Sequence, residues 1–198
     1  FSANITSPPN PELRWEKTAV TNIGVDFTMF NTRLNGTIDY YIRKSTDLLG
    51  NRDTDPTLGW SSLKVNYGSL NNKGIEVALG SINISKPDFE WRTNLNFSYN
   101  KNKITKMKHS GTTVFSYVQG VVHTKGRPMY SLFSYQSAGL DPENGAPLVY
   151  DKDGKKVSNV GSIEELEYSG TTRPPYTASL INRFRYKGWS LSFMFIYN

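Results

Sequence analysis

Asp26 and Asp39 are the residues of this 198-residue chain whose type and setting most readily suggest acid–base chemistry. They fall on the polar side of two neighbouring alternating segments, where paired carboxylates could share acid and base roles as in glycoside hydrolysis. Polar residues recur at every second position around them, so lining a wet wall is the stronger expectation. A second candidate is the set Asp141, Asn144, Asp151 and Asp153, oxygen ligands of the kind calcium takes. Its spacing departs from the EF-hand loop, and Asp151-Lys152-Asp153-Gly154 reads better as a hairpin turn. His109 and His123 are too few for a histidine metal site, and the lack of cysteine excludes thiolate ligands and disulfides. No catalytic residue, metal or cofactor is expected, and the chain does not read as an enzyme.

Two residue classes remain that could recognise something. Lys101, Lys103, Lys106 and Lys108 leave an alternating segment together, either to meet anionic lipopolysaccharide headgroups or to be solvated in a loop. Rings scattered through the long polar stretches, Trp60, Tyr67, Tyr117, Tyr135 and Tyr150 foremost, could stack on sugar faces or peptide side chains. Phe115, Tyr130, Phe133 and Tyr168 belong to the same group. The net charge of +6 is spread over 23 Lys and Arg, which argues against nucleic acid as the partner.

The elements that must position these residues are strands. Aromatics make up 13% of the chain, yet mean hydropathy is −0.51, a combination that fits sheets with one greasy and one wet face. No apolar run approaches the roughly 20 residues of a transmembrane helix, whereas a barrel strand hides its apolar residues at alternate positions. Ile23, Val25, Phe27 and Met29 oppose Asn22, Gly24, Asp26 and Thr28. After a tight turn at 31–32 the pattern resumes with Leu34, Ile38, Tyr40 and Ile42 against Asn35, Thr37 and Asp39. Ile75, Val77 and Leu79 continue it, and Ile82 and Ile84 then suggest a phase slip at a bulge near Gly80-Ser81. Phe89, Trp91, Leu95, Phe97 and Tyr99 alternate with polar residues, as do Tyr176 to Tyr186 and Trp189 to Tyr197.

Six strands of about 10 to 14 residues result, near the span a membrane barrel needs and longer than the roughly 5 to 6 usual in soluble sheets. Short turns at 31–32, 86–88 and 187–188 alternate with long polar loops at about 46–70 and 103–173, the latter with its own hairpin from Val149 to Val157. That asymmetry predicts an all-β, antiparallel, up-and-down transmembrane barrel segment with periplasmic turns and extracellular loops. Trp15, Phe30, Phe89, Trp91 and Trp189, with Tyr40, Tyr41 and Tyr99, cluster near strand ends as interfacial girdles would. Asp26, Asp39, Glu76, Arg92, Asn94, Asn96, Arg183 and Arg185 then face the lumen.

Several stretches carry a more specific signal. Asn10-Pro11-Glu12-Leu13-Arg14-Trp15-Glu16 followed by Asn22-Ile23-Gly24-Val25-Asp26-Phe27, then Thr46-Asp47-Leu48-Leu49, Asn72-Lys73-Gly74-Ile75-Glu76 and Gly139-Leu140-Asp141-Pro142, occur in that order. The pattern resembles the SusC/RagA-type TonB-dependent outer-membrane transporters over nearly the whole chain. The resemblance implies a barrel of about 22 strands around a plug. Residues 1–198 would be part of the barrel domain, in its C-terminal half, with plug, TonB-contacting box and signal peptide outside this segment. It further implies import of a glycan or oligopeptide across a Gram-negative, Bacteroidetes-like outer membrane, with a SusD-like surface lipoprotein and TonB as partners. Two rival readings are a passive porin, which shares the wall without a plug, and a soluble carbohydrate-binding β-sandwich.

Overall fold

The computed structural model of the chain describes residues 8–55, 57, 59–108, 113–120 and 123–198, and His109 lies outside them. Six long strands carry the architecture. They are β1 (Lys17–Met29), β2 (Leu34–Asp53), β3 (Ser62–Lys86), β4 (Phe89–Met107), β10 (Tyr176–Tyr186) and β11 (Trp189–Tyr197). They form one sheet in the order β1-β2-β3-β4-β10-β11, a meander interrupted once between β4 and β10. Within that interruption lie α1 (Val114–Val118) and the short strands β5 (Ser131–Ser134), β6 (Ser137–Leu140), β7 (Pro147–Tyr150), β8 (Lys156–Val157) and β9 (Glu167–Thr171). The fold is all-β as expected, with α1 a single turn capped by the Thr113 hydroxyl.

Three strands are longer than the sequence pattern predicts: β2 has 20 residues, β3 has 25 and β4 has 19. The polar stretch expected as a loop over 46–70 is mostly strand, leaving 54–61 between β2 and β3, and the 103–173 excursion begins after Met107. Alternation weakens there before ladder hydrogen bonding ends, with Leu63, Val65 and Tyr67 of β3 and the buried Ile104 of β4 set among polar and charged residues. The short turns sit where expected, with one change: Phe30 is in the first turn rather than ending β1. Phe30, Asn31 and Thr32 all take left-handed backbone, and Arg33 N–H donates to Phe30 O at 3.2 Å.

Contacts divide the chain into two units. The sheet unit comprises Thr18–Lys44, Asn71–Asn102 and Pro174–Asn198. The registers of β10 with β4 and β11 place like with like on each face: Phe97 opposite Ala178, Leu95 opposite Leu180, Trp91 opposite Phe184, and Phe184 opposite Leu191. The Trp91 and Phe184 rings stack at 5.4 Å. On the other face Asn96 stands opposite Ser179 and Arg92 opposite Arg183. The apolar face is open, with Trp189 81% and Ile23 67% exposed.

The bulge expected near Gly80-Ser81 is absent. Gly80 lies against the Asn35 and Asn94 amides on the polar face, whereas Asn83, three residues on, donates to Thr93 Oγ1 at 2.7 Å on the apolar face. Opposite faces three residues apart are what uninterrupted alternation gives. Ile82 and Ile84 therefore stand on the polar face. Ser81 and Asn83 stand on the apolar one, where Ser81 Oγ also donates to Asn83 Oδ1 at 2.9 Å.

The loop unit comprises the chain up to Lys17, Ser45–Leu70 and Lys103–Arg173. Here there is a core of the ordinary kind, built on Ile104, Tyr117, Ala138 and Val160. Antiparallel pairs β5 with β9, β6 with β7 and β7 with β8 surround it. The hairpin expected from Val149 to Val157 is present, with Val149 opposite Val157. Asp151 closes it by accepting from Asp153 N–H and Lys155 N–H, and Gly154 supplies the left-handed residue. The oxygens weighed as calcium ligands are engaged in turns: Asp141 accepts from Glu143 N–H and Asn144 from Ala146 N–H.

Candidate functional site

The polar face of the sheet unit gathers the residues expected to line a passage. Alternation along β1, β2 and β3 aims Asp26, Asp39 and Glu76 the same way. Thr37 Oγ1 donates to Asp26 Oδ1 at 2.7 Å and Asn22 Nδ2 to Asp39 Oδ1 at 3.2 Å. A Cβ at Gly24 would push the Asp39 carboxylate aside. Gly74 is more tightly constrained: a Cβ would fall 2.5 Å from the Tyr41 ring and 2.6 Å from Tyr99 O. Tyr41 passes over it to donate to Asn100 Oδ1 at 3.3 Å. Asn94 and Asn96 share a shallow groove with Asp26 and Thr37, and Asn96 Nδ2 donates to Ser179 Oγ at 3.3 Å.

Charge of both signs lies on this face, with Arg43 of β2 near Asp39 and Glu76 and Glu90 of β4 among the arginines. The carboxylates of Asp26, Asp39 and Glu76 lie on β1 to β3, whereas Arg92, Arg183 and Arg185 lie on β4 and β10. Glu90 bridges two of the guanidinium groups, at 3.0 Å from Arg92 and 3.7 Å from Arg185. Arg92 and Arg183 are direct cross-strand neighbours, an arrangement that repels unless solvent or an anion intervenes. Nothing here pairs a nucleophile with a base. The face is a hydrated wall of amides, hydroxyls and separated charges, able to offer a polar solute exchangeable hydrogen bonds.

The loop rings divide by setting. Tyr117 is only 3% exposed, and its ring meets Phe133 edge-on at 5.7 Å. It packs the core and presents no face to a ligand. Tyr67 lies in β3 beside Gly50, whose absent side chain makes room for its ring. Trp60, Tyr135 and Tyr150 are half-buried; the Trp60 carbonyl accepts from Thr54 Oγ1, and Tyr150 N–H donates to Gln136 O. The most open aromatic ring among the described residues of this unit after Trp15 is Phe115, 65% exposed. Two arginines cover tyrosine rings, Arg127 over Tyr168 at 4.5 Å and Arg173 over Tyr130 at 5.2 Å.

Two asparagines matter that sequence reasoning passed over. Asn66 is buried and ties two segments of the loop unit: its Oδ1 accepts from Arg14 N–H, and its Nδ2 donates to Arg14 O and Asp47 O. Arg14 also pairs with Asp47 at 3.0 Å, and Glu16 accepts from Leu49 N–H at 2.7 Å. The stretch from Asn10 to Glu16 is thus stitched down by side chains. Asn182 is 8% exposed on the apolar face, where its Oδ1 accepts from Trp91 Nε1 at 3.0 Å and Thr93 Oγ1 at 2.8 Å. Its signal was legible as the one polar residue at an apolar position of β10.

Comparison with known proteins places this architecture. The family model described as TonB dependent receptor-like, β-barrel matches residues 1–198. TonB-dependent receptor P3 of Formosa agariphila is 31% identical over 210 residues, aligning 96% of this chain with 21% of that protein. TonB-dependent receptor SusC of Bacteroides thetaiotaomicron is 28% identical over 205 residues, covering 93% of this chain and 19% of that protein. The solved structure of the RagAB peptide transporter superposes with a TM-score of 0.81 at 27% identity, covering 98% of this chain and 22% of the other. The chain spans about a fifth of the length of these relatives.

Proposed function

The chain belongs to the TonB-dependent receptor-like β-barrel family, and from that premise we propose that it forms part of the wall of an outer-membrane importer. The observation that carries this reading is the sheet unit's pair of faces. One is an apolar band with its rings open, suited to lipid; the other is a hydrated wall with charges and amides at alternate positions. In this reading Asp26, Asp39, Glu76, Arg92, Asn94, Asn96, Arg183 and Arg185 wet the passage. Trp60, Tyr67, Tyr135 and Tyr150 reach a ligand from the loops, and Tyr117 holds those loops in shape. The ligand is a glycan or an oligopeptide, the partner a SusD-like surface lipoprotein, and TonB drives release inward through the rest of the protein.

The experiment is uptake by cells carrying the full-length protein with and without functional TonB, using labelled oligosaccharide and labelled oligopeptide as separate probes. Energised import predicts that uptake of one class stops without TonB. A passive porin predicts uptake that continues, and that result would reject the proposal. The same cells test the topology. Surface protease is expected to cut within 108–175 and to spare the turns at 30–33 and 87–88.

A further inference from the structure

Every charged side chain that the strands of the sheet unit place on its apolar face is a lysine, and these three stand at one end. Strand alternation places Lys44 of β2, Lys73 of β3 and Lys101 of β4 on that face, and no Asp or Glu of the unit shares it. The contacts of their sequence neighbours fix the assignment. Asn72 and Asn102 bond to each other at 2.7 Å on the polar face, as do Tyr41 and Asn100, and Gly74 lies against Tyr41. Lys73 and Lys101 therefore emerge together on the far side. Tyr41 and Arg43 share a polar-face groove with Asp39 and Glu76, which turns Lys44 outward beside them. The strands β2, β3 and β4 are consecutive in the sheet, so the three ammonium groups form a row. Facing side chains on adjacent strands stand about 5 Å apart and diagonal ones about 7–8 Å.

Each strand approaches its lysine along a largely apolar run. Along β4 the face reads Leu95, Phe97, Tyr99, Lys101; along β2 it reads Ile38, Tyr40, Ile42, Lys44; along β3 it reads Leu79, Val77, Ile75, Lys73. Tyr99 and Tyr176 stack at 4.7 Å just inside the row. Apolar residues followed by ammonium groups, with the Tyr99 and Tyr176 phenols beside the row, is the order of a membrane boundary met from its interior. The opposite end of the same face ends in Phe89, Trp91, Tyr186 and Trp189, with one cation beside them, Lys187 of the turn, whose Nζ lies 5.5 Å over the Tyr186 ring. All three lysines are exposed, and none makes an ion pair within 4 Å among the described residues.

We propose that Lys44, Lys73 and Lys101 form a binding row for the phosphate groups of a phosphorylated glycolipid in the outer leaflet. Three unpaired cations at the hydrocarbon boundary, on a face bare of carboxylates, complement a dianionic headgroup whose acyl chains cover the adjoining apolar band. The inference rests on the barrel reading above and deepens it by naming the lipid chemistry at one rim.

The test uses the full-length protein, delipidated in detergent and offered lipid A either with its phosphates or dephosphorylated, with retained lipid counted by native mass spectrometry. Each basic group near an anionic surface is expected to contribute about fivefold, so three give roughly a hundredfold preference for the phosphorylated lipid. The exposed triple variant K44Q/K73Q/K101Q is expected to lose that preference, and K44R/K73R/K101R to keep it. Equal preference in the wild type and the Gln variant overturns the proposal. Displacement of bound lipid by inorganic phosphate alone also overturns it, by making the row a free-phosphate site. Failure of the barrel reading looks different, because the wild type would then retain neither lipid.

Discussion

The two units of this chain hide their apolar residues in different ways. In the loop unit Ile104, Tyr117, Ala138 and Val160 are buried by the protein itself, among short strands and a single helical turn. In the sheet unit no large apolar residue is buried to that degree, and the side chain most completely enclosed among the described ones is polar, that of Asn182. Charge divides as unevenly. The sheet unit holds 10 Lys and Arg against 5 Asp and Glu, which is +5 of the chain's +6. A unit with so much open apolar surface is built for a solvent other than water, whereas the loop unit follows the ordinary rule that buried groups are covered by protein. In the proposed reading lipid supplies the cover in one case, whereas side chains supply it in the other.

Truncation should separate the two most sharply. Tyr117→Ala removes a ring that is enclosed on all sides, and loss of a buried aromatic costs about 3–5 kcal/mol where the site cannot collapse. The expected outcome is local: faster proteolysis within 113–173 of the full-length protein, with the midpoint of barrel unfolding unchanged. A shift in that midpoint would break the separation between units. For the sheet unit the corresponding change is Phe97→Arg, expected to cost roughly 2–4 kcal/mol if the site faces hydrocarbon. Asn96→Arg, on the other face, should cost much less because water reaches it. Spin labels at positions 95, 97 and 99 in a reconstituted barrel should respond to oxygen dissolved in lipid, and labels at 94, 96 and 98 to water-soluble relaxants. Equal responses on both faces would count against the membrane reading.

Asn182 sharpens the comparison from within the sheet. With lipid on this face, Asn182→Ala leaves Trp91 Nε1–H and Thr93 Oγ1–H without an acceptor, at about 1–3 kcal/mol in an apolar setting. Adding Asn83→Leu and Thr93→Val to Asn182→Leu removes the Thr93 hydroxyl together with both its partners and should recover part of the loss. If water rather than lipid bathes the face, Asn182→Ala should be nearly silent, because solvent replaces the lost acceptor. Unfolding titrations of the three variants in one detergent decide between these outcomes.

How much of this was legible depended on which solvent a residue meets. Phe89 to Tyr99 could be read without error because one face meets lipid and the other water, and the sequence must alternate. Ile82 and Ile84 misled for the same reason: their neighbours Ser81 and Asn83 satisfy each other on the apolar face, so the pattern inverts without any bulge. The far ends of β2, β3 and β4 read as loop because charged and polar residues are frequent there, although Leu63, Val65 and Tyr67 still alternate and Ile104 is buried. The polar wall from Asp26 to Arg185 follows from alternation alone. The loop rings do not, because packing between residues as distant as Tyr117, Phe133 and Tyr168 is invisible in local spacing. Asn66 left no local mark either; its three backbone bonds join segments some 19 and 52 residues away.

Acid supplies the mildest contrast. Between β2 and β3, Asp55 Oδ1 accepts from Thr57 N–H at 2.9 Å and from Thr57 Oγ1 at 2.7 Å. The backbone N–H bond from Thr57, followed by the hydroxyl, holds the Asp55 carboxyl below its ordinary value. A carboxyl whose folded pKa is depressed adds stability above its unfolded pKa and loses it as pH falls through the folded one. Local order at Thr57 should therefore persist at neutral pH and fade only below the ordinary carboxylate range, near about pH 4. Amide exchange protection at Thr57 checks this, and Asp55→Asn should flatten its pH profile, since the amide oxygen does not titrate. The apolar face of the sheet carries lysines and no carboxylate, so protection along Leu95, Phe97 and Tyr99 should not change over the same interval. A parallel loss there would mean that acid opens the sheet as well, and that the two units do not keep their structure independently.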